Sequence, residues 1–189
     1  MRFLFLHIII LVFVFAACNN SNQAVTIEPS NKGLVLINGV LELNKVPFSG
    51  RLVSFFSKEK LESEMYYIDG KKDGYEKQWF ENGDLAIERF YKNGFKTGTH
   101  KGWWENGKPK FQYYFNDRGE FHGRVKEWYQ TGFMFRDFNY INGKEIGSQK
   151  LWYETGKIKA NYEVVNGERF GLIGLKKCYT VTVGSDDVK

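Results

Sequence analysis

Apolar and polar residues alternate with a period of two in four stretches, each starting shortly after a glycine. They read Leu85, Ile87, Arg89, Tyr91; Pro109, Phe111, Tyr113, Phe115; Met134, Arg136, Phe138, Tyr140; and Ile158, Ala160, Tyr162, Val164. The intervening positions are mostly polar, and Glu88, Gln112, Asp137 and Asn161 share one column. Such alternation predicts strands with one buried and one hydrated face. Each stretch is preceded by a second strand that ends in adjacent aromatics: Trp79-Phe80, Trp103-Trp104, Trp128-Tyr129 and Trp152-Tyr153. On a regular strand two neighbours point to opposite faces. One member of each pair is therefore expected in the core, Trp being favoured, and the other in an exposed aromatic row, Phe80, Trp104, Tyr129 and Tyr153. That row is the candidate binding surface, because aromatic platforms bind partners with large area and little entropy loss.

Three glycine columns mark the period. Gly74, Gly98, Gly123, Gly147 and Gly171 form the first, Gly83, Gly107, Gly132 and Gly156 the second, and Gly94, Gly119, Gly143 and Gly167 the third. A fixed period of about two dozen residues signals an array of supersecondary units. Asn82-Gly83 and Asn106-Gly107 are expected as two-residue type I′ hairpin turns, with Thr131-Gly132 and Thr155-Gly156 in the same place. Asn93-Gly94, Arg118-Gly119, Asn142-Gly143 and Asn166-Gly167 join one hairpin to the next, and the array's one extra residue falls at 116–119, in such a connection.

The chain divides into five parts. Residues 1–17 are a short basic start and an apolar run, a secretory signal. Residues 18–32 are Cys18 and a polar tether. Residues 33–72 are a degenerate cap and first unit, with strands at Leu34–Ile37 and Val40–Leu43 hinged at Asn38-Gly39, and a looser hairpin at Lys58-Glu59. Residues 73–175 are the repeats, and 176–189 a cap strand and tail containing Cys178, expected as a small buried hydrophobe.

The segment Phe15-Ala16-Ala17-Cys18 resembles a bacterial lipobox, which implies that Cys18 is lipidated and becomes the N-terminus of an envelope protein. Asn19 points to the periplasmic side of the outer membrane. The repeat pattern, four times G-x-x-x-x-W-[FWY]-x-[NT]-G with an alternating strand and mostly an Asn-Gly connection after it, resembles the MORN-repeat-variant family. The resemblance covers about residues 38–175 and implies an all-β fold, an elongated single-layer antiparallel sheet of successive hairpins. Bacterial relatives are often labelled YwqK-type antitoxins, and other MORN proteins are tied to scaffolding and membrane attachment. The implied function is a non-enzymatic scaffold or binding module with a protein or membrane-lipid partner. The alternative is an antitoxin-like protein acting against an envelope toxin.

Composition narrows the rest. A 17% aromatic fraction with only three prolines excludes low-complexity disorder for the repeats. The net charge of +5 is spread through every unit, and no basic run or nucleic-acid module is present, so nucleic acid is not an expected partner. His100 and His122 have no nucleophile at a recognisable spacing and are expected to be exposed. Only two members of the Glu88, Gln112, Asp137, Asn161 column are carboxylates, too few for a calcium ladder. No catalytic residue, metal or cofactor is assigned.

Overall fold

The structure, a computed structural model, describes residues 25–174; Cys18, Cys178 and the expected signal and C-terminal cap lie outside the described residues. It is all-β. The strands are β1 (Thr26–Ile27), β2 (Leu34–Ile37), β3 (Val40–Leu43), β4 (Val46–Pro47), β5 (Gly50–Ser57) and β6 (Lys60–Ile68). They continue with β7 (Lys71–Trp79), β8 (Leu85–Lys92), β9 (Phe95–Lys96), β10 (Gly98–Trp103), β11 (Pro109–Phe115) and β12 (Gly123–Trp128). The last are β13 (Met134–Ile141), β14 (Lys144–Glu145), β15 (Gly147–Trp152), β16 (Ile158–Val165) and β17 (Glu168–Leu172). β2–β4 form a separate three-stranded sheet, and the rest form one long sheet in chain order. Every pairing in that sheet is antiparallel except β1 on β5. β1 belongs to the stretch expected as tether, but Thr26 and Ile27 pair with Arg51 and Leu52 and cover the edge of β5.

The turn chemistry is the reverse of that expected. At the hairpin tips only the glycine has positive φ (92° at Gly83, 76° at Gly107, 95° at Gly132, 79° at Gly156). The second aromatic of each pair closes the loop: Phe80 N–H donates to Asp84 O at 2.8 Å and accepts from Gly83 N–H at 2.9 Å, a pattern repeated at Trp104, Tyr129 and Tyr153. Three residues then remain in the loop, which is the type I turn with a left-handed glycine bulge. Thr131 and Thr155 fit because their position has negative φ. The type I′ turns lie instead in the connections. Lys92 pairs with Phe95, so only Asn93 (φ 50°) and Gly94 (φ 84°) are left to turn the chain, and Asn142-Gly143 and Asn166-Gly167 are alike. The extra residue at 116–119 converts one connection to the three-residue form, with Gly119 N–H donating to Asn116 O at 3.0 Å. At Lys58-Glu59 the turn is tight, not loose: Ser57 pairs with Lys60, and neither turn residue has positive φ.

Beyond its N-terminal end, where the three-stranded sheet packs on it, the long sheet has no second layer to bury against, so its apolar face packs along itself. Direct cross-strand partners place Tyr91, His100, Phe111, Tyr113, Phe115, Val125, Phe138, Tyr140 and Tyr162 on one face. Ring contacts run along it, with centroids 5.5 Å apart for Tyr91–His100, 4.6 Å for His100–Phe115, 4.8 Å for Phe115–Phe121 and 5.3 Å for Phe121–Tyr140. Contacts of this kind each add about 0.5–1.5 kcal/mol beyond area burial. Apolar clusters finish the two ends, Leu41, Phe48 and Leu52 at one and Ala160, Tyr162 and Val164 at the other.

Candidate functional site

The tryptophan pairs stand where strand becomes loop, and this decides where they point. The strand ends at Trp79, Trp103, Trp128 and Trp152, and a register shift precedes each of them. The second aromatic begins the turn, so strict alternation no longer applies and both members open to the same side. Trp128 and Tyr129 line one groove of about 490 Å³, together with Trp104, Phe111, Tyr113 and Phe135. Trp79 and Phe80 line an adjoining groove of about 380 Å³ with Trp103, Gln78 and Ile87. Lys110 lies in both, so the two follow one another along the hairpin tips.

The expected exposed row is corrected accordingly. Phe80, Trp104 and Tyr129 are half-buried, and only Tyr153, 50% exposed, is open. The reason is that the row staples neighbouring hairpins together. The Trp104 indole N–H donates to Trp128 O at 3.1 Å, and the Tyr129 hydroxyl donates to Trp152 O at 2.9 Å. Residues of the following strand cover the rings: Lys110 Nζ sits 4.4 Å from the Trp104 ring centre, Phe135 meets Tyr129 edge-on at 5.2 Å, and Lys159 Nζ lies 5.5 Å from the Tyr153 ring. The tryptophans of the first position are also half-buried rather than core; the buried apolar residues of the repeats are Tyr91, Phe111, Ala160, Tyr162 and Val164 of the second strands and Val125 of a first strand.

One column, two residues after Gly50, Gly74, Gly98, Gly123 and Gly147, is buried throughout: Leu52, Glu76, His100, Val125 and Gln149. Three of the five are polar. His100, expected at the surface, is 1% exposed, and its Nε2 lies 2.8 Å from Phe90 O, to which it donates. Gln149 Oε1 accepts from Asn139 N–H at 3.1 Å, and its Nε2 donates to Asn139 O at 3.0 Å and Ile146 O at 2.9 Å. Both residues follow a glycine with φ near 65° (66° at Gly98, 63° at Gly147) that lifts the strand out of its ladder, and the side chain fills the gap. Burial lowers the His100 pKa, against the hydrogen bond to Phe90. The alternation that places Tyr91 inward does the same for His100, so this signal was present in the sequence. His122 is exposed, as expected, beside Asn142.

Glu76, buried to 2% exposure, carries the one deep charge of the column. Lys72 Nζ at 2.6 Å and Arg89 at 3.0 Å hold its two oxygens, and Gln78 donates at 3.0 Å. Burial alone raises the carboxyl pKa, but the hydrogen bond and charge of Lys72 with the charge of Arg89 overcome it, and the pKa is lowered. A second acidic centre follows two hairpins later, where Glu127 accepts from Tyr113 at 2.6 Å and pairs with Arg136.

The opposite face carries a ladder of directly facing residues: Glu64, Lys77, Glu88, Lys101, Gln112, Lys126, Asp137, Lys150 and Asn161. Lysines intervene between all the acids and amides, which puts cations where a calcium ladder needs carboxylates. Among the described residues no three His, Cys, Asp or Glu side chains gather as a metal site, and no helix is long and apolar enough to cross a membrane.

No curated protein matches the chain by sequence. The family model of the MORN repeat variant matches residues 72–93 and 96–117. The first two units of the array are therefore similar to MORN repeats, and the hairpin they describe is the one that the rest of the sheet repeats.

Proposed function

We propose that the chain is a non-enzymatic binding module, held at the bacterial envelope by lipid on Cys18, that docks a protein partner in the aromatic groove along its hairpin tips. The carrying observation is the groove itself: two adjoining hollows lined by four of the five tryptophans, Trp79, Trp103, Trp104 and Trp128, on a scaffold whose hairpins are held together by the Trp104 and Tyr129 side chains. Exposed aromatic hollows of this size are expensive to leave open in a monomer and mark interaction sites. The lipobox-like segment supports a lipid anchor on Cys18, and Asn19 favours the periplasmic side of the outer membrane. Fractionation tests the anchor: Cys18→Ser moves the protein from the membrane to the soluble fraction, and an unchanged distribution refutes lipidation. For the groove, a photo-reactive phenylalanine at Phe135, which lines it, should cross-link one partner in envelope fractions, while the same probe at Lys150 on the polar face should not. Equal labelling from both positions counts against a groove-specific partner.

A further inference from the structure

The groove selects among binding modes. Its walls are strands whose backbone is already paired on both sides and loops closed by the aromatic residues themselves, so a ligand has no free edge there to extend as a β-strand. What remains open is side-chain surface: flat rings, a few donors and carboxylates. The indole N–H of Trp128 makes no hydrogen bond among the described residues, unlike that of Trp104. Gln130 adds a side-chain amide to the same wall. Each hollow holds one cation, Lys110, and a carboxylate that makes no ion pair among the described residues. Glu154 accepts only from Thr131, at 3.2 Å, and Glu62 in the adjoining groove likewise makes no ion pair among the described residues. Lys110 is turned onto the Trp104 ring, and Glu127 is taken up by Arg136.

The spacing adds a second constraint. Successive aromatic pairs are two strands apart, about 9.6 Å at ~4.8 Å per strand. A polyproline II helix repeats every three residues, about 9.3 Å at ~3.1 Å per residue, so it presents the same edge once per turn. Its backbone carbonyls are unpaired and need donors such as an indole N–H, and its stiffness removes most of the ordering cost of binding.

We infer that the groove docks a proline-rich, basic segment in the polyproline II conformation, one turn to each hairpin, with the Trp128 indole donating to a ligand carbonyl and Glu154 facing a ligand cation. From β5 to β15 the groove crosses eight strand spacings, which at ~4.8 Å gives about 38 Å and room for roughly twelve ligand residues. This assignment rests on the reading of the groove as the docking surface.

The test uses the full chain in detergent and tryptophan fluorescence, since every tryptophan lies at a hairpin tip. The probe is an arginine-flanked oligoproline of about twelve residues; the control has the same arginines around a Gly/Ser core. The oligoproline should bind at least about ten-fold more tightly, because the control pays to order a flexible chain. Trp128→Phe keeps an aromatic ring, though a smaller one, and loses the donor, and should weaken binding about five-fold. Glu154→Gln should weaken it about three-fold and flatten its salt dependence, with Lys150→Ala unchanged. Equal affinity for the two peptides, or indifference to both groove variants, overturns the inference. So does tighter binding of a β-linked N-acetylglucosamine tetramer that the peptide displaces. If the peptide fails while the Phe135 probe still captures a partner whose cross-linked segment has no prolines, the docking surface stands and only the ligand class falls; failure of both removes both.

Discussion

Replacing Gln149 with Leu isolates what a buried polar side chain contributes inside a sheet. The substitution keeps the length and most of the volume, so packing changes little, but it removes three hydrogen bonds of 2.9–3.1 Å to Asn139 and Ile146. The Asn139 carbonyl keeps its bond from Ile146 N–H at 3.0 Å, whereas the Asn139 N–H is left with no acceptor at a site where the neighbouring side chain has 0% exposure. An orphaned buried donor costs about 1–3 kcal/mol, and each lost carbonyl bond about 0.5–1.5 kcal/mol. Allowing for the retained bond and the apolar gain, the expected loss is about 2–4 kcal/mol. Urea unfolding followed by tryptophan emission reads the total. Backbone amide exchange reads the location: the Asn139 amide should exchange about thirty-fold faster or more, at ~1.4 kcal/mol per factor of ten, while amides of β5 and β6 hold their rates. A Gln149→Leu protein with an unchanged urea midpoint and an Asn139 amide within about three-fold of its original rate refutes the idea that this side chain completes the ladder.

Three other outcomes follow from the same geometry. His100→Gln should keep stability at neutral pH, because an amide fills the equivalent place after Gly147, whereas His100→Ala should lose about 1–3 kcal/mol in the urea assay. The His100 pKa is lowered in the fold, so the unfolded chain binds the extra proton, and its contribution is complete above about pH 6.5 and declines below it; urea midpoints measured from pH 7.5 to 5.5 should fall, and less so in His100→Gln. Glu76, also lowered by Lys72 and Arg89 despite its burial, contributes fully above its ordinary value of 4.5 and is lost on further acidification, so Glu76→Gln should remove a stability decline seen between about pH 4.5 and 3. Finally, Asn142→Val should cost about 1–2 kcal/mol, since its φ is 48°, while Thr131→Val at a negative-φ tip position should stay within about 0.5 kcal/mol; thermal unfolding of the pair distinguishes the two turn assignments, and equal costs would reject them.

The fold was legible because its determinants are local and repeated. The alternation of Leu85 to Tyr91 and its three counterparts specifies inward and outward positions without reference to the rest of the chain, and the glycine columns specify where the chain reverses. What stayed hidden depended on counting closing pairs. Asn82-Gly83 and Asn93-Gly94 are the same dipeptide, yet one sits in a three-residue loop and the other in a two-residue loop, and only the hydrogen bonds of Phe80 and the pairing of Lys92 with Phe95 tell them apart. The aromatic pairs were misplaced for the same reason. Once Phe80 belongs to the loop, it no longer answers to the alternation that governs Trp79. His100 differs, since its inward position followed from the register and was outweighed only by the usual preference of histidine for the surface.

That displacement of the second aromatic into the loop links stability to recognition. Because Trp104 and Tyr129 each bond to a carbonyl of the next hairpin, the residues that line the groove are also the ones that fix the angle between hairpins. A ligand lying across several tips therefore touches elements whose relative placement the same side chains determine, and the groove's shape is set unit by unit instead of by a surrounding core. In a one-dimensional array, where each unit answers only to its neighbours, a lost staple is felt across one interface and not along the whole sheet. Trp104→Phe, which deletes the indole donor and keeps the ring, should loosen the junction between β11 and β12 without unfolding β5 and β6. Its signature is faster amide exchange confined to residues flanking Trp128, with the exchange of the N-terminal cap unchanged. Loss of protection spread evenly over the array would mean instead that the sheet behaves as a single cooperative block, and the staples would then have no local role.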